Sequence, residues 1–519
     1  MAVLAILFGL GLAQFLWAAL NPFERWRFRA IPGPFALPLL GNLHQIASED
    51  LTAFVGRASR EYGKICKIWF GSRPWIVVAD PELVRNGPDW RLARRAFETS
   101  IIRASSLSAH LPAVQRCVAA FLPRLEAAAA SGQPLQLAAA LGELALASVG
   151  EVAYGVDFGT GKREEAVERE AGGGGSLGGQ LMAAIREAFD CLEVNNASVY
   201  LPLEGWGRGC GGWMLPGLNP LWYWLAARLP DAGQRRHEAA RARLHDISRR
   251  LIRQWQDSRA AAAGVAAAPG GAAGKGEAAT APAAGNGAGA GGGSPSFAEV
   301  GGGISGSSFM AAMLEGRQGA RNGEERLTDR QASVIAQCLT FMMAGSDTTA
   351  STLAFTIFLL ATHPEAQNRL TAELDTHFAA VAAAVAPGGG GCGAGPDGAE
   401  AEVEAAEAED VLPKLPYLDA VLSESMRLYP SASLLVREAA TDLDLGEGKV
   451  VPKGYAIVLA THTLHHDPAL WPDAEAFRPE RFLPEGAAAG LGPAHPAAYA
   501  PFGMGPRMCV GNKIATMVS

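Results

Sequence analysis

The sequence lacks the features of a nucleic-acid-binding protein. Only 18% of its 519 residues are charged, and 44 Lys and Arg against 52 Asp and Glu give a net charge of −8. No lysine or arginine cluster is interleaved with aromatic residues, so we expect no nucleic-acid partner. Six of the acids fall within residues 400–410, and the chain is close to neutral elsewhere.

The cysteines are too scattered for a disulfide framework. They are seven in number, which is odd, and no two form the C-x-x-C spacing of a zinc site or a redox pair. This usage favours a reducing compartment, and we expect six of the seven to be ordinary small residues. The cysteines are Cys66, Cys117, Cys191, Cys210, Cys338, Cys392 and Cys509.

The N-terminus carries the one long apolar run. Residues 2–20 are interrupted only by Gln14 and two glycines, and Arg25, Arg27 and Arg29 follow. Nineteen residues can span a bilayer, and cations after the run place the following chain on the cytosolic side. We therefore expect residues 1–30 to form a single-pass membrane anchor with its basic flank. A cleaved signal peptide and a buried core helix are the alternatives.

The remaining residues, 31–519, are predicted to form one catalytic domain that begins after a stiff, proline-rich connector. Three stretches within it are dominated by Gly and Ala with Pro or Glu, near 171–175, 260–306 and 379–410. They contain too few large apolar residues to offset the entropy of folding, and we expect disordered insertions. Alanine-rich parts of them could instead form marginal helices.

Helices dominate the predicted secondary structure. The patterns predict helices at about 89–130, at 327–362 before His363, from Pro364 onward, and at 417–428. A hairpin is predicted from 64–70 and 75–79, with short strands around Val436, Val450 and Ile457. The fold class is therefore mainly α with a small β-sheet region, an α+β arrangement.

The strongest motif is the decapeptide FGMGPRMCVG at 502–511. Gly503 and Gly505 let the backbone turn tightly, so that amide groups can point at the sulfur of Cys509 and stabilise a thiolate. Arg507 adds a cation two residues earlier. A thiolate ligand pushes electron density onto haem iron. The alternative is a structural cysteine in a glycine turn.

Two further motifs lie in predicted helices. Glu424 and Arg427 are three residues apart and can pair on one helix face, although many solvated pairs share this spacing. Residues 344–349, AGSDTT, place a glycine and paired threonines in mid-helix, which is locally unfavourable. Either a kink or the close packing of another helix on Gly345 explains this break with local preference.

The histidines offer a competing haem ligand. His462, His465 and His466 cluster before an Asp-Pro pair, and a histidine-ligated haem protein would need one of them to face a pocket. A loop or strand end is the simpler expectation for this cluster. His363, which precedes a proline, is explained by a helix terminus.

In their order along the chain, these motifs resemble the cytochrome P450 superfamily of microsomal haem-thiolate monooxygenases. Residues 31–43 and 435–440 are most similar to the branch that contains thromboxane-synthase-like, drug-oxidising and plant carlactone-oxidising enzymes. The resemblance implies haem b with Cys509 as the axial iron ligand. It also implies a buried triad in which Arg481, from the FRPERF segment, joins Glu424 and Arg427.

The resemblance assigns the remaining site residues. Thr348 would hydrogen-bond dioxygen and Asp347 would relay protons. Trp90 and Arg94 have the W-x-x-x-R spacing of a propionate-binding helix, and Arg437 and Arg507 match two other propionate-binding arginines. The cysteine loop would comprise Phe502, Gly503, Gly505, Arg507, Cys509 and Gly511. An apolar substrate, an NADPH-dependent flavoprotein reductase and the endoplasmic reticulum membrane are implied as partners and location.

Two departures from the family pattern bear on activity. Only residues 85–89 separate Val84 from Trp90, where the family has a longer segment with a helix over the substrate pocket. Only eight residues follow Gly511, and we expect the terminal hairpin of the family to be missing. A fragmentary gene model or a degenerate copy would explain both. Besides a monooxygenase, the alternatives are a haem-thiolate isomerase or dehydratase and a haem-binding but catalytically incompetent relative.

Overall fold

The structure is a computed structural model, and it describes residues 22–38, 40–71, 73–80, 104–155, 180–181, 183–185, 187, 228, 232–266, 327–385 and 415–519. Its helices are α1 Pro22–Arg27, α2 Leu43–Ile46, α3 Leu51–Tyr62, α4 Ala104–Ser131, α5 Leu137–Tyr154, α6 Ala232–Ala266, α7 Leu327–Thr362, α8 Pro364–Val385, α9 Pro416–Leu428, α10 Thr461–His465, α11 Pro484–Ala488 and α12 Asn512–Val518. Short 3₁₀ turns span Pro479–Phe482, Pro496–Ala498 and Gly505–Arg507.

The strands are β1 Ile65–Phe70, β2 Arg73–Val78, β3 Leu435–Glu438, β4 Leu443–Asp444, β5 Val450–Val451 and β6 Ala456–Leu459. Four of them form a sheet in the order β1-β2-β6-β3, in which only the β2–β6 pair is parallel. The strands β4 and β5 form a separate antiparallel pair. The described part of the chain is thus mainly helical with a small sheet region, which confirms the predicted fold class.

The hairpin of β1 and β2 forms as its sequence predicts. β-Branched and aromatic residues pack well on a half-buried pleated surface, and Gly71 turns the chain between the strands with a φ of +59°. The register pairs Ile65 with Val78 and Phe70 with Arg73. Helix α3 begins at an N-cap, because the Asp50 carboxylate accepts the Thr52 and Ala53 amides. Together these elements build the sheet side of the protein.

The largest apolar core lies between five helices, α4, α5, α6, α7 and α12. Helix α5 is apolar on nearly all sides and is buried against α7. Within the described residues, α5 is the one helix long and apolar enough to cross a membrane, and 72% of its apolar window is buried inside the protein. That burial is typical of a core helix in a large domain. The predicted anchor at 2–20 lies outside the described residues.

The first residues of two predicted insertions are helical. Helix α6 continues to Ala266 and α8 to Val385, so residues 260–266 and 379–385 are helical. Alanine is the strongest helix former, and both helices end in alanine-rich sequence, which explains the extension. The remainder of both stretches, and all of 171–175, lie outside the described residues.

Candidate active site

Cys509 lies at the end of a loop whose tight turns depend on two glycines. Gly503 and Gly505 have φ values of +71° and +67°, which residues with a side chain rarely adopt. The Cys509 amide donates to the Phe502 carbonyl at 2.7 Å, which closes the loop around the short 3₁₀ turn. A Cβ on Gly503 would lie 3.2 Å from Leu435 Cδ1, so the loop also packs tightly on strand β3.

Cys509 differs from the other described cysteines in exposure. Cys66, Cys117 and Cys338 are buried, whereas Cys509 is exposed. Burial raises the pKa of the Cys66 thiol to about 12 and raises that of Cys338 further, so both stay protonated. Burial, and then the charge of Glu151, raise the pKa of Cys117 to about 12, and its thiol donates to the Glu151 carboxylate at 3.3 Å. Within the described residues, Cys509 is the cysteine placed to bind a metal.

Two arginines lie beside this loop. Arg437 Nη2 donates to the Arg507 carbonyl at 3.4 Å and is about 4.0 Å from the Cβ position of Gly503. Burial and then the charge of Arg507 lower the pKa of Arg437, and Arg437 forms no ion pair with an acid in the described part of the chain. Two neighbouring guanidinium groups are suited to carboxylates. Together with the exposed thiol, this donor set fits haem, which has an iron and two propionates.

Helix α7 carries the predicted catalytic pair. It runs uninterrupted through Gly345, where a Cβ would lie 2.9 Å from Val149 Cγ1 of α5, so close packing of another helix accounts for this glycine. The Thr348 hydroxyl donates to the Ala344 carbonyl at 2.7 Å. Burial raises the pKa of the Asp347 carboxyl above its ordinary value.

A single segment connects α7 to the cysteine loop. Ser431 Oγ donates to the Thr348 carbonyl at 3.1 Å, and four residues later Leu435 contacts the Cβ position of Gly503. Four residues of extended chain span at most about 14 Å. Helix α12, which begins three residues after Cys509, packs against α7 in the largest core. The structure therefore places Thr348 and the cysteine loop at two ends of one short segment.

The predicted triad is present and fully buried. Arg427 binds Glu424 with two hydrogen bonds, Nε to Oε2 at 2.7 Å and Nη2 to Oε1 at 2.9 Å, and Arg481 Nε donates to Oε1 at 3.2 Å. All three side chains have 0% exposure. The guanidinium groups also donate to backbone carbonyls of 465, 473, 474, 476 and 491. The triad thus fixes the long loop that precedes the cysteine.

His465 extends this network to the cysteine loop, a role that the sequence did not predict. Its Nδ1 donates to the Arg427 carbonyl at 3.1 Å, and its Nε2 accepts the Ala500 amide at 3.0 Å. The Ala500 carbonyl in turn accepts the Gly503 amide. Burial lowers the pKa of His465 to about 3, so the neutral ring serves as both donor and acceptor. Only the position of its motif between the triad and the cysteine could have suggested this link.

The histidine cluster was wrongly predicted to lie in a loop or strand end. His462 and His465 belong to the short helix α10, and His466 follows it directly. His465 uses both ring nitrogens as described, and His466 pairs Nδ1 with Glu475 at 3.0 Å and Nε2 with the Leu428 carbonyl at 2.9 Å. Neither the His465 ring nor the His466 ring therefore has a nitrogen left to bind iron. His363 lies between α7 and α8, as its helix-terminus interpretation predicts.

Two predicted cofactor residues, Trp90 and Arg94, lie outside the described residues. Phe502 and Gly511 flank the cysteine as predicted, and a Cβ on Gly511 would lie 3.9 Å from Cys509 Sγ. The described geometry is that of a mainly helical protein whose exposed Cys509 ends a glycine-turned loop beside Arg437 and Arg507.

Comparison with known proteins identifies the family. A sequence model of the Cytochrome P450 family matches residues 31–86 and 83–519, and the chain belongs to this family. Members of the family bind haem through a cysteine thiolate. The two matches overlap at 83–86, beside the shortened segment at 85–89.

Mammalian members of the family are among the similar proteins. The chain is 36% identical over 209 residues to Cytochrome P450 3A31 of Mesocricetus auratus and to Cytochrome P450 3A2 of Rattus norvegicus. It is 34% identical over 209 residues to Cytochrome P450 3A41 of Mus musculus. In each case the match covers 40% of this chain and 36% of the relative, so the chain spans about a third of the length of the curated relatives it matches.

Proposed function

We propose that this chain is a haem-dependent monooxygenase that inserts one atom of dioxygen into an apolar organic substrate. Such a reaction consumes two electrons and two protons, and the second oxygen atom leaves as water. The electrons would come from an NADPH-dependent flavoprotein reductase. The observation that carries the proposal is the exposed Cys509, presented by a glycine-turned loop beside Arg437 and Arg507.

Different residues of the chain would bind the haem and deliver the protons. When bound, haem supplies the redox chemistry that splits dioxygen. The Cys509 thiolate would ligate the iron, while Arg437 and Arg507 would hold propionates. Asp347 would deliver protons, because a carboxyl whose pKa is raised keeps a proton closer to neutral pH. In the structure the Thr348 hydroxyl donates to the Ala344 carbonyl. During the reaction it would turn toward dioxygen and pass on the proton that Asp347 supplies.

The location is part of the proposal. The apolar run at 2–20 and the following arginines support a single-pass anchor in the endoplasmic reticulum membrane, with the catalytic domain in the cytosol. The thromboxane-synthase-like and carlactone-oxidising branch stays a prediction from residues 31–43 and 435–440.

The test is reconstitution of haem-loaded protein with a reductase and NADPH, with product and NADPH consumption measured over a panel of apolar compounds. We expect Asp347→Asn and Thr348→Ala to lower product formed per NADPH by about tenfold or more. Thr376→Ala is the matched control, since the Thr376 hydroxyl makes the same kind of hydrogen bond, to the Ala372 carbonyl at 2.7 Å, on helix α8.

Unchanged coupling in the Asp347 and Thr348 variants would overturn the proton-relay assignment. Haem binding without any product would support a catalytically incompetent relative. Product from a peroxide without NADPH, unaffected by both substitutions, would support the isomerase or dehydratase alternative, which the acid and threonine pair argues against.

A further inference from the structure

A cleft of about 1180 Å³ lies apart from the cysteine site. One wall is helix α3, the opposite wall is formed by the ends of α7 and α9, and α10 forms the floor. Neither the loop at 502–511 nor residues 344–349 line it. Its volume is that of a pocket for a small molecule.

Exposed aromatic side chains form the apolar wall of this cleft. Phe358 is 53% exposed and Tyr429 is 38% exposed, and Phe355 stacks on Tyr429 with ring centroids 4.4 Å apart. Leu359 and Phe477 continue the wall. Contiguous exposed aromatics of this kind mark a binding surface rather than ordinary solvent-facing residues.

The rest of the lining is charged, with three acids and three Lys or Arg cations. Three acids line the cleft, and each has a cationic or histidine partner. Arg57 binds Glu49, Lys64 lies 3.9 Å from Asp467, and His466 lies 3.0 Å from Glu475. Arg60 also lines the cleft and forms no ion pair with an acid in the described part of the chain. Among the Lys and Arg side chains of the described lining, Arg60 is therefore the one without an ion-pair partner.

The ring of His462 lies on the floor of the same cleft, close enough to Arg60 for its charge to act on the ring. The ring stacks on His466 at 4.1 Å, and neither of its nitrogens bonds to a described residue. Burial, aided by the charges of His466 and Arg60, lowers the pKa of His462 to about 4. At neutral pH the ring is uncharged and can donate one N–H to an anion.

We propose that this cleft binds an anionic amphiphile, a long-chain carboxylate. Its head group would accept hydrogen bonds from Arg60 and His462, and its chain would lie along Phe358 and Tyr429. The guanidinium fork suits a carboxylate, and Arg60, which has no ion-pair partner in the described part of the chain, can offer its fork to one head group. This site does not rest on the proposed monooxygenase activity.

The test is equilibrium binding of laurate and of dodecanol to the full-length, haem-loaded protein. Arg60→Ala is expected to weaken laurate binding about tenfold and to leave dodecanol unchanged, since only the acid uses the charge. Phe358→Ala is expected to weaken both, because both place their chain on this ring. Arg249→Ala, at an exposed arginine of α6, is the matched control and should change neither.

A photoreactive laurate, followed by peptide mapping, locates the bound ligand. Labelling of 51–64 or 355–363 that Arg60→Ala reduces would support the site. Labelling confined to 340–350 or 502–511 would place laurate at the active site and overturn the proposal. Equal laurate affinity in the Arg60 and Arg249 variants would also overturn it, as would a dimeric protein that takes no label, because a second copy would then cover the cleft.

Discussion

Replacing Glu424 by glutamine is expected to destabilise the protein by about 3–5 kcal/mol, because it leaves two buried guanidinium groups without a counter-charge. The Glu424 carboxylate accepts four hydrogen bonds, two from Arg427, one from Arg481 and one from the Arg478 amide. Glutamine keeps one acceptor oxygen and turns the other into an NH₂ donor that faces a guanidinium. Both arginines remain charged with 0% exposure, so solvent cannot compensate.

Urea unfolding followed by circular dichroism measures this loss, and haem retention after gel filtration measures its effect on the cysteine loop. The matched control is Glu485→Gln, which removes the carboxylate of an exposed pair with Arg369 at 3.2 Å. An exposed pair contributes about 0–1 kcal/mol, so this variant should unfold almost as the parent protein does. Equal unfolding midpoints in the two variants would refute the structural role of the buried triad.

Three further predictions concern packing, strain and pH. Gly345→Ala should lower the melting temperature, since its Cβ would lie 2.9 Å from Val149, and Val149→Ala in the same chain should restore part of the loss. Gly503→Ala should cost about 1–2 kcal/mol and reduce haem retention, because the φ of +71° disfavours a side chain; equal haem retention would contradict this. The pKa of His465 is about 3 when folded and near its ordinary 6.5 when unfolded, so the unfolded state binds the extra proton. The free energy of unfolding should therefore fall as the pH drops from 6.5 toward 3, by at most about 1.4 kcal/mol per pH unit from this group, and urea titrations should show a shallower fall in His465→Gln.

Local patterns predicted most helices and strands because their causes are local. The prediction of a helix at 327–362 matches α7, and that at 417–428 misses only Pro416 of α9. In both, apolar periodicity and a proline at the boundary set the limits. The β1–β2 hairpin followed from residue type and a glycine turn. Helices and strands that are stabilised mainly by residues close in sequence can therefore be predicted from the sequence alone.

Contacts between distant parts of the chain were not predictable in this way. The parallel pairing of Ile76 with Ile457 and the packing of Val149 on Gly345 join residues far apart in sequence. The two roles of the His465 ring depend on where the Arg427 carbonyl and the Ala500 amide come to lie. The triad was predicted only through the family resemblance, because a Glu and an Arg three residues apart pair in many exposed helices.

The central claim is that Cys509 ligates haem iron. It is tested most directly by the carbon monoxide difference spectrum of the reduced, expressed protein, recorded beside that of Cys509→Ser. We predict a strongly red-shifted Soret band in the parent protein and its loss in the variant. Absence of haem, or a band typical of histidine ligation that Cys509→Ser leaves unchanged, would contradict the account.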